Sequence, residues 1–144
     1  MSYEPVKVGS LKVGKFVNDP NSNETCKIIS IEKSKPGKHG AAKARITMVG
    51  IFDKQKRELL QPVDKRIYVP LIDKRDAQII SISPSADAYS VMDNQSYETF
   101  DIAPPDEEDI KQRIETGFSE GKTVHVDYWI VMDKKKIVGM KQVE

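Results

Sequence analysis

The chain has 144 residues, 31% of them charged and 38% hydrophobic, with a net charge of +1. That composition can build a core, which excludes a disordered tail, and no run of about 18 apolar residues is present, which excludes a membrane-spanning helix. The single cysteine, Cys26, excludes an internal disulfide and a CxxC metal pattern.

The N-terminus, MSYEPVKVGS, lacks the apolar core of a secretion signal, so a cytoplasmic location is expected. Val-, Ile- and Tyr-rich stretches then recur between clusters of Gly, Pro, Asn and Asp, the mark of strands and turns. In the first half strands are predicted at 10–17, 25–33, 42–52, 57–63 and 65–70, with FVNDPNSNET a loop and FDKQK (52–56) a hairpin turn. VPLIDKRD (69–76) reads as a short linker after Pro70. In the second half strands are predicted at 77–84, 88–93, 96–102, 122–133 and 135–142.

One helix interrupts that half, in APPDEEDIKQRIETGF. Asp106 is the expected N-cap, and Glu107, Glu108 and Asp109 sit where the helix dipole favours acids. Ile110, Ile114 and Phe118 form one apolar stripe, so the helix is expected to plug a barrel. Two groups of about five strands predict an all-β protein of two small barrels, residues 1–72 and 73–144. Met1 to Asp73 carries 14 Lys and Arg against 8 Asp and Glu, a net +6, and the remainder carries 9 against 14, a net −5. A basic half joined to an acidic half suggests that one half faces a polyanion.

The most unusual stretch is KPGKHGAAK (35–43), between the strand-like SIEK and ARITM. Gly37 and Gly40 let the chain turn, Pro36 fixes φ before it, and Lys38 stands between the glycines with no acid from Ser34 to Ala44. Lys33, Lys35, Lys38, Lys43 and Arg45 against Glu32 give a local +4 within the hairpin region 33–45 and its neighbour, a charge that attracts phosphates. A phosphate-binding P-loop is excluded, because Glu32 holds the first glycine position and His39 follows the lysine. A catalytic lysine would want burial, which an exposed tip does not give. No His pair or carboxylate pair has useful spacing for a nuclease, so no enzyme, catalytic residue or metal site is expected. On the residues alone, a solvated hairpin and a nucleic-acid contact both stay open.

KPGKHGAAKARI resembles the modification loop of the archaeal and eukaryotic translation initiation factor 5A family. KVGKFV, CKIISI, VGIFD and VPLIDKRDAQIISI extend the resemblance over nearly the whole length. It implies an N-terminal SH3-like barrel followed by an oligonucleotide-binding (OB) barrel with one short helix. It further implies that Lys38, within the loop residues Lys35, Pro36, Gly37, His39 and Gly40, becomes hypusine. Deoxyhypusine synthase would transfer an aminobutyl group from spermidine to the side-chain nitrogen, with hydroxylation after it; no separate cofactor is expected. Ala41 stands where eukaryotic members commonly carry His, an archaeal trait. The extension lengthens the reach of the lysine by about 6 Å and adds a second cationic centre.

The implied function is a translation factor that binds the ribosome and steadies peptidyl-tRNA, supplying position rather than a catalytic group. Initiation and elongation roles are not distinguished. Lys33, Lys35, Lys43 and Arg45 are the expected RNA phosphate contacts, and His39 is left open between stacking on a base and a solvated position. A reading from another class is a general RNA-binding or RNA-chaperone protein whose loop needs no modification. Outside the helix, the aromatics of the acidic half are Tyr89, Tyr97, Phe100, Tyr128 and Trp129. Alternation in VHVDYWIV places Val124, Val126, Tyr128 and Ile130 on one face and His125, Asp127, Trp129 and Val131 on the other. Trp129 reads as core or interface filler, and His125 and Cys26 as structural.

Overall fold

Alternation sets the longest strands. In Lys43–Gly50 the side chains of Ala44, Ile46 and Met48 are fully buried while Lys43 and Arg45 are exposed. Burying a side chain the size of Ile46 or Met48 contributes roughly 1.5–3 kcal/mol relative to leaving it exposed. The computed structural model describes residues 3–34 and 42–144, and the chain divides into two compact units, Met1–Leu71 and Ile72–Glu144.

The first unit holds β1 (Tyr3–Lys7), a 3-10 turn (Val8–Ser10), β2 (Phe16–Asn18), β3 (Thr25–Ser34), β4 (Lys43–Gly50), β5 (Lys56–Pro62) and β6 (Arg66–Pro70). Strands β2-β3-β4-β5 form one antiparallel sheet in that order, and β1 pairs with β6 in a second. Val8, Val17, Ile28, Ile46, Met48, Leu59 and Ile67 share the core between them. Strand β1 falls where no strand is expected, because Pro5 argues against one; an edge strand tolerates it. The strand expected over 10–17 is reduced to Phe16–Asn18, since Gly14 adopts φ +91° and its amide turns back to the Ile28 carbonyl.

The second unit holds β7 (Asp73–Ile82), β8 (Tyr89–Asp93), β9 (Thr99–Ile102), helix α1 (Glu108–Ser119), β10 (Val124–Val131) and β11 (Lys134–Val143). Its sheet runs β11-β10-β7-β8-β9, and β11 also meets β9, which curls the sheet on itself. The stretch expected as linker over 69–76 is mostly strand. Strand β6 runs to Pro70 and β7 begins at Asp73, whose backbone pairs with Ile130. The charges of Asp73, Lys74 and Arg75 mimic a loop because that end of β7 is solvated.

Helix α1 packs on β10 and β11, with Ile114 fully buried and Ile110 and Phe118 against the same core. Its N-cap is Glu107 rather than Asp106, whose carboxylate instead accepts from the Lys136 ammonium. At the other end Gly121, with φ +78°, donates to Phe118 and Lys122 donates to Gly117. This is the paired arrangement that satisfies the last carbonyls of a helix.

One hairpin turn occurs in both units. Residues 19–24, Asp-Pro-Asn-Ser-Asn-Glu, and residues 93–98, Asp-Asn-Gln-Ser-Tyr-Glu, make the same bonds. Each Asp amide donates to its Glu carbonyl at 2.9 Å, and each Asp carbonyl accepts from the fifth residue, Asn23 at 2.7 Å or Tyr97 at 2.9 Å. That fifth residue is left-handed in both, φ 59° and 63°.

Candidate modification hairpin and nucleic-acid interface

Strands β3 and β4 form the hairpin that carries KPGKHG. Their register pairs Ser34 with Lys43, Lys33 with Ala44, Glu32 with Arg45 and Ile31 with Ile46. Lys35, Pro36, Gly37, Lys38, His39 and Gly40 lie outside the described residues, so the hairpin is described up to Ser34 and from Ala42.

The expected phosphate contacts that are described do not share one face. Lys43 and Arg45 are exposed and alternate with buried Ala44 and Ile46, so both leave the outer face of the sheet. Arg45 stands across from Glu32 on β3 and from Leu60 on β5, the latter 53% exposed. Lys33 lies opposite buried Ala44, and opposed residues point to the same side of a sheet. Its ammonium donates to the Gly9 carbonyl at 2.9 Å.

The second unit presents a different surface. Tyr89 and Tyr128 are core residues, not surface aromatics. The Tyr89 hydroxyl donates to Glu115 at 2.6 Å and the Tyr128 hydroxyl to Asp93; burial, then these acidic partners, push both phenols up. Phe100 packs against Tyr128 with ring centres 5.3 Å apart, and the Lys135 ammonium lies 4.7 Å above it. Trp129, expected as core or interface filler, is not in the core cluster. It is half-buried on the outer face of β10, with the Lys74 ammonium 5.4 Å from its ring centre. Val131, expected on that outer face, is buried, just ahead of the left-handed turn residues Met132 and Asp133.

Trp129 lines a groove of about 390 Å³ with Lys74, Arg75, Asp76, Asp127, Val138 and Lys141. Two of its cations are paired: Arg75 lies 3.0 Å from Asp73 and 3.5 Å from Asp93, both outside the lining, and Lys141 lies 3.3 Å from Asp76. His125 lies 3.0 Å from the Asn94 amide, a structural contact as expected. Cys26 is fully buried, and burial pushes its thiol up. Among the described residues no group of three or more His, Cys, Asp and Glu could hold a metal ion.

Two carboxylate clamps were not foreseen. Asp93, 1% exposed, accepts from Tyr128 and from the amides of Gln95 and Ser96. Burial alone would raise its pKa, but these bonds and the nearby Arg75 hold it at about 2. In the first unit Arg57 donates to Asp53 at 2.6 and 3.1 Å and lies 3.7 Å from Asp19. The Asp-x-x-Ser-x-Glu pattern at 19 and 93 is a signal for the turn carboxylates Asp19 and Asp93, while Asp53 lies outside it.

Comparisons with known proteins agree with this architecture. A family model described as "Translation initiation factor 5A-like, N-terminal" matches residues 2–65. Another, "Eukaryotic elongation factor 5A hypusine, DNA-binding OB fold", matches residues 71–141. The translation initiation factor 5A of Sulfurisphaera tokodaii is 43% identical over 141 residues, covering 98% of this chain and 100% of that one. That of Methanospirillum hungatei is 46% identical over 136 residues, covering 93% and 96%. A solved structure titled "Eukaryotic translation initiation factor 5A from Methanococcus jannaschii" superposes with a TM-score of 0.81 at 35% identity, covering 97% of this chain and 96% of that one. Motif, strand order and full-length likeness agree, and the chain belongs to the translation initiation factor 5A family, translation factors with an SH3-like N-terminal barrel and a C-terminal OB fold.

Proposed function

We propose that this translation factor acts on the ribosome beside peptidyl-tRNA, through a hypusine formed at Lys38 by deoxyhypusine synthase from spermidine. The observation that carries the reading is the sequence K-P-G-K-H-G on a hairpin whose two legs are fixed in register by β3 and β4. A slender two-stranded support bearing one lysine suits entry into a modifying enzyme and then into a narrow RNA cleft. The lengthened amine reaches toward the acceptor end of the tRNA and steadies a poorly reacting substrate, such as one with consecutive prolines. The factor thereby lowers the entropic cost of alignment and leaves the chemistry to the ribosome. Lys43 and Arg45, exposed on the outer face of the hairpin, and Lys35 supply phosphate contacts.

The test compares protein made in its native host with protein made in a bacterium lacking the synthase, in peptide-bond formation on polyproline messages. The modified form is expected to be active, and the unmodified form and Lys38→Ala inactive. Equal activity of the two forms would overturn the dependence on modification and favour an RNA-binding protein that works without it. Intact mass establishes what each preparation carries.

A further inference from the structure

The two legs of the modification hairpin are joined by a route that does not pass through its tip. The Lys33 ammonium donates to the Gly9 carbonyl at 2.9 Å. The Gly9 amide donates to the Val63 carbonyl at 2.9 Å, and the Val63 amide donates to the Ala42 carbonyl at 3.0 Å. Lys33 is next to last on the outgoing leg and Ala42 is the first described residue of the returning one. Three hydrogen bonds therefore cross from leg to leg through the 3-10 turn and the β5–β6 connection.

The crossing depends on close approach. A Cβ on Gly9 would lie 3.2 Å from the Val63 oxygen and 3.3 Å from its Cβ, tighter than carbon atoms ordinarily sit. Only glycine lets the two connections meet without displacement. Lysine suits the closing position because its long stem spans from the strand to Gly9 and its ammonium is a charged donor, which makes the stronger bond to a carbonyl. Lys33 also leaves the sheet on the side of Ala44, away from Lys43 and Arg45.

We propose that Lys33 is a positioning residue and not a phosphate contact: its bond to Gly9 closes a collar, Lys33–Gly9–Val63–Ala42, that fixes how the hairpin leaves the barrel. The consequence for activity rests on the reading of Lys38 as the modified lysine; the collar itself does not.

The test uses the full chain with Lys33→Met, which keeps most of the stem and removes the donor, and Lys33→Arg, which restores a charged donor. Lys33→Met is expected to speed amide exchange at Gly9 and Val63 about threefold to tenfold, with Lys33→Arg close to wild type. In aminobutyl transfer by deoxyhypusine synthase, Lys33→Met is expected to raise KM about threefold with kcat little changed. The salt dependence of binding to a single-stranded RNA oligonucleotide is expected to keep the wild-type slope. Unchanged exchange at Gly9 and Val63 would overturn the collar. A slope lower by about 0.7 would overturn it too, by assigning Lys33 to a phosphate. If the wild-type chain is no substrate for the synthase, the reading of Lys38 fails while exchange still decides the role of Lys33.

Discussion

The hydroxyl of Tyr128 on β10 donates to the carboxylate of Asp93 at the end of β8, where both side chains are 1% exposed. The bond ties the turn 93–98 to the strand two places away in the sheet, since β7 lies between β8 and β10. Tyr128→Phe leaves a buried carboxylate oxygen short of a donor, at a cost of about 1–3 kcal/mol. The pH dependence has a fixed sign. Asp93 is held at about 2 in the folded chain and returns to about 4 when unfolded. Its contribution is therefore complete above pH 4 and is lost as pH falls from about 4 to about 2. Urea unfolding followed by Trp129, the single tryptophan, is expected to show that loss in wild type and a flatter acid limb in Asp93→Asn.

The Arg57–Asp53 clamp in the first unit is read by titration. The Arg57 guanidinium donates both its terminal nitrogens to Asp53, and these bonds, with the Gln55 amide, hold that carboxyl at about 2. Arg57→Met removes the main cause. The Asp53 carboxyl resonance is then expected to titrate within about one unit of 4. A midpoint that stays near 2 would show that the Gln55 amide alone sets it.

The repeated turn gives a stabilising substitution. Position 97 requires left-handed backbone, φ 63°, and holds a tyrosine that is 71% exposed. The equivalent position in the first unit holds Asn23, a residue that tolerates this region at less cost. Tyr97→Asn is expected to stabilise the second unit by about 0.5–1 kcal/mol, which raises its Tm by about 2–8 °C. Calorimetry measures the shift, and a lower Tm would mean that the exposed ring makes up for the backbone.

What the sequence revealed depended on the range over which each signal acts. KPGKHG, the helix stripe Ile110-Ile114-Phe118 and the strand alternation of β4 are local patterns, and all three could be read along the chain. Strand β1 was hidden by Pro5, and the start of β7 by Asp73, Lys74 and Arg75, because an edge or solvated strand carries loop-like residues. The turn at 19–24 reads as a polar loop and the one at 93–98 as the junction of strands expected over 88–93 and 96–102, although their common Asp-x-x-Ser-x-Glu spacing is present in the letters. Lys33 and Gly9 are 24 residues apart, and Asp93 and Tyr128 are 35 apart. No local pattern announces a partner at that distance. For that reason Lys33 looked like one more cation in a basic run.

The division of that basic run is itself a prediction about RNA. If Lys35, Lys43 and Arg45 face the phosphates and Lys33 faces Gly9, the four cations differ in how they answer to salt. Each cation that neutralises a phosphate on single-stranded RNA contributes about 0.7 to the slope of log affinity against log salt. Lys35→Glu combined with Lys43→Glu is expected to flatten that slope by at least about 1.4, since each change removes a cation and adds an anion. Arg45→Gln alone is expected to lower it by about 0.7. Fluorescence anisotropy with a labelled single-stranded RNA, from about 50 to 200 mM salt, resolves these steps. A slope unmoved by the Lys35 and Lys43 reversals would remove the outer face of the hairpin from the RNA interface, and would leave Lys38 to act by reach alone.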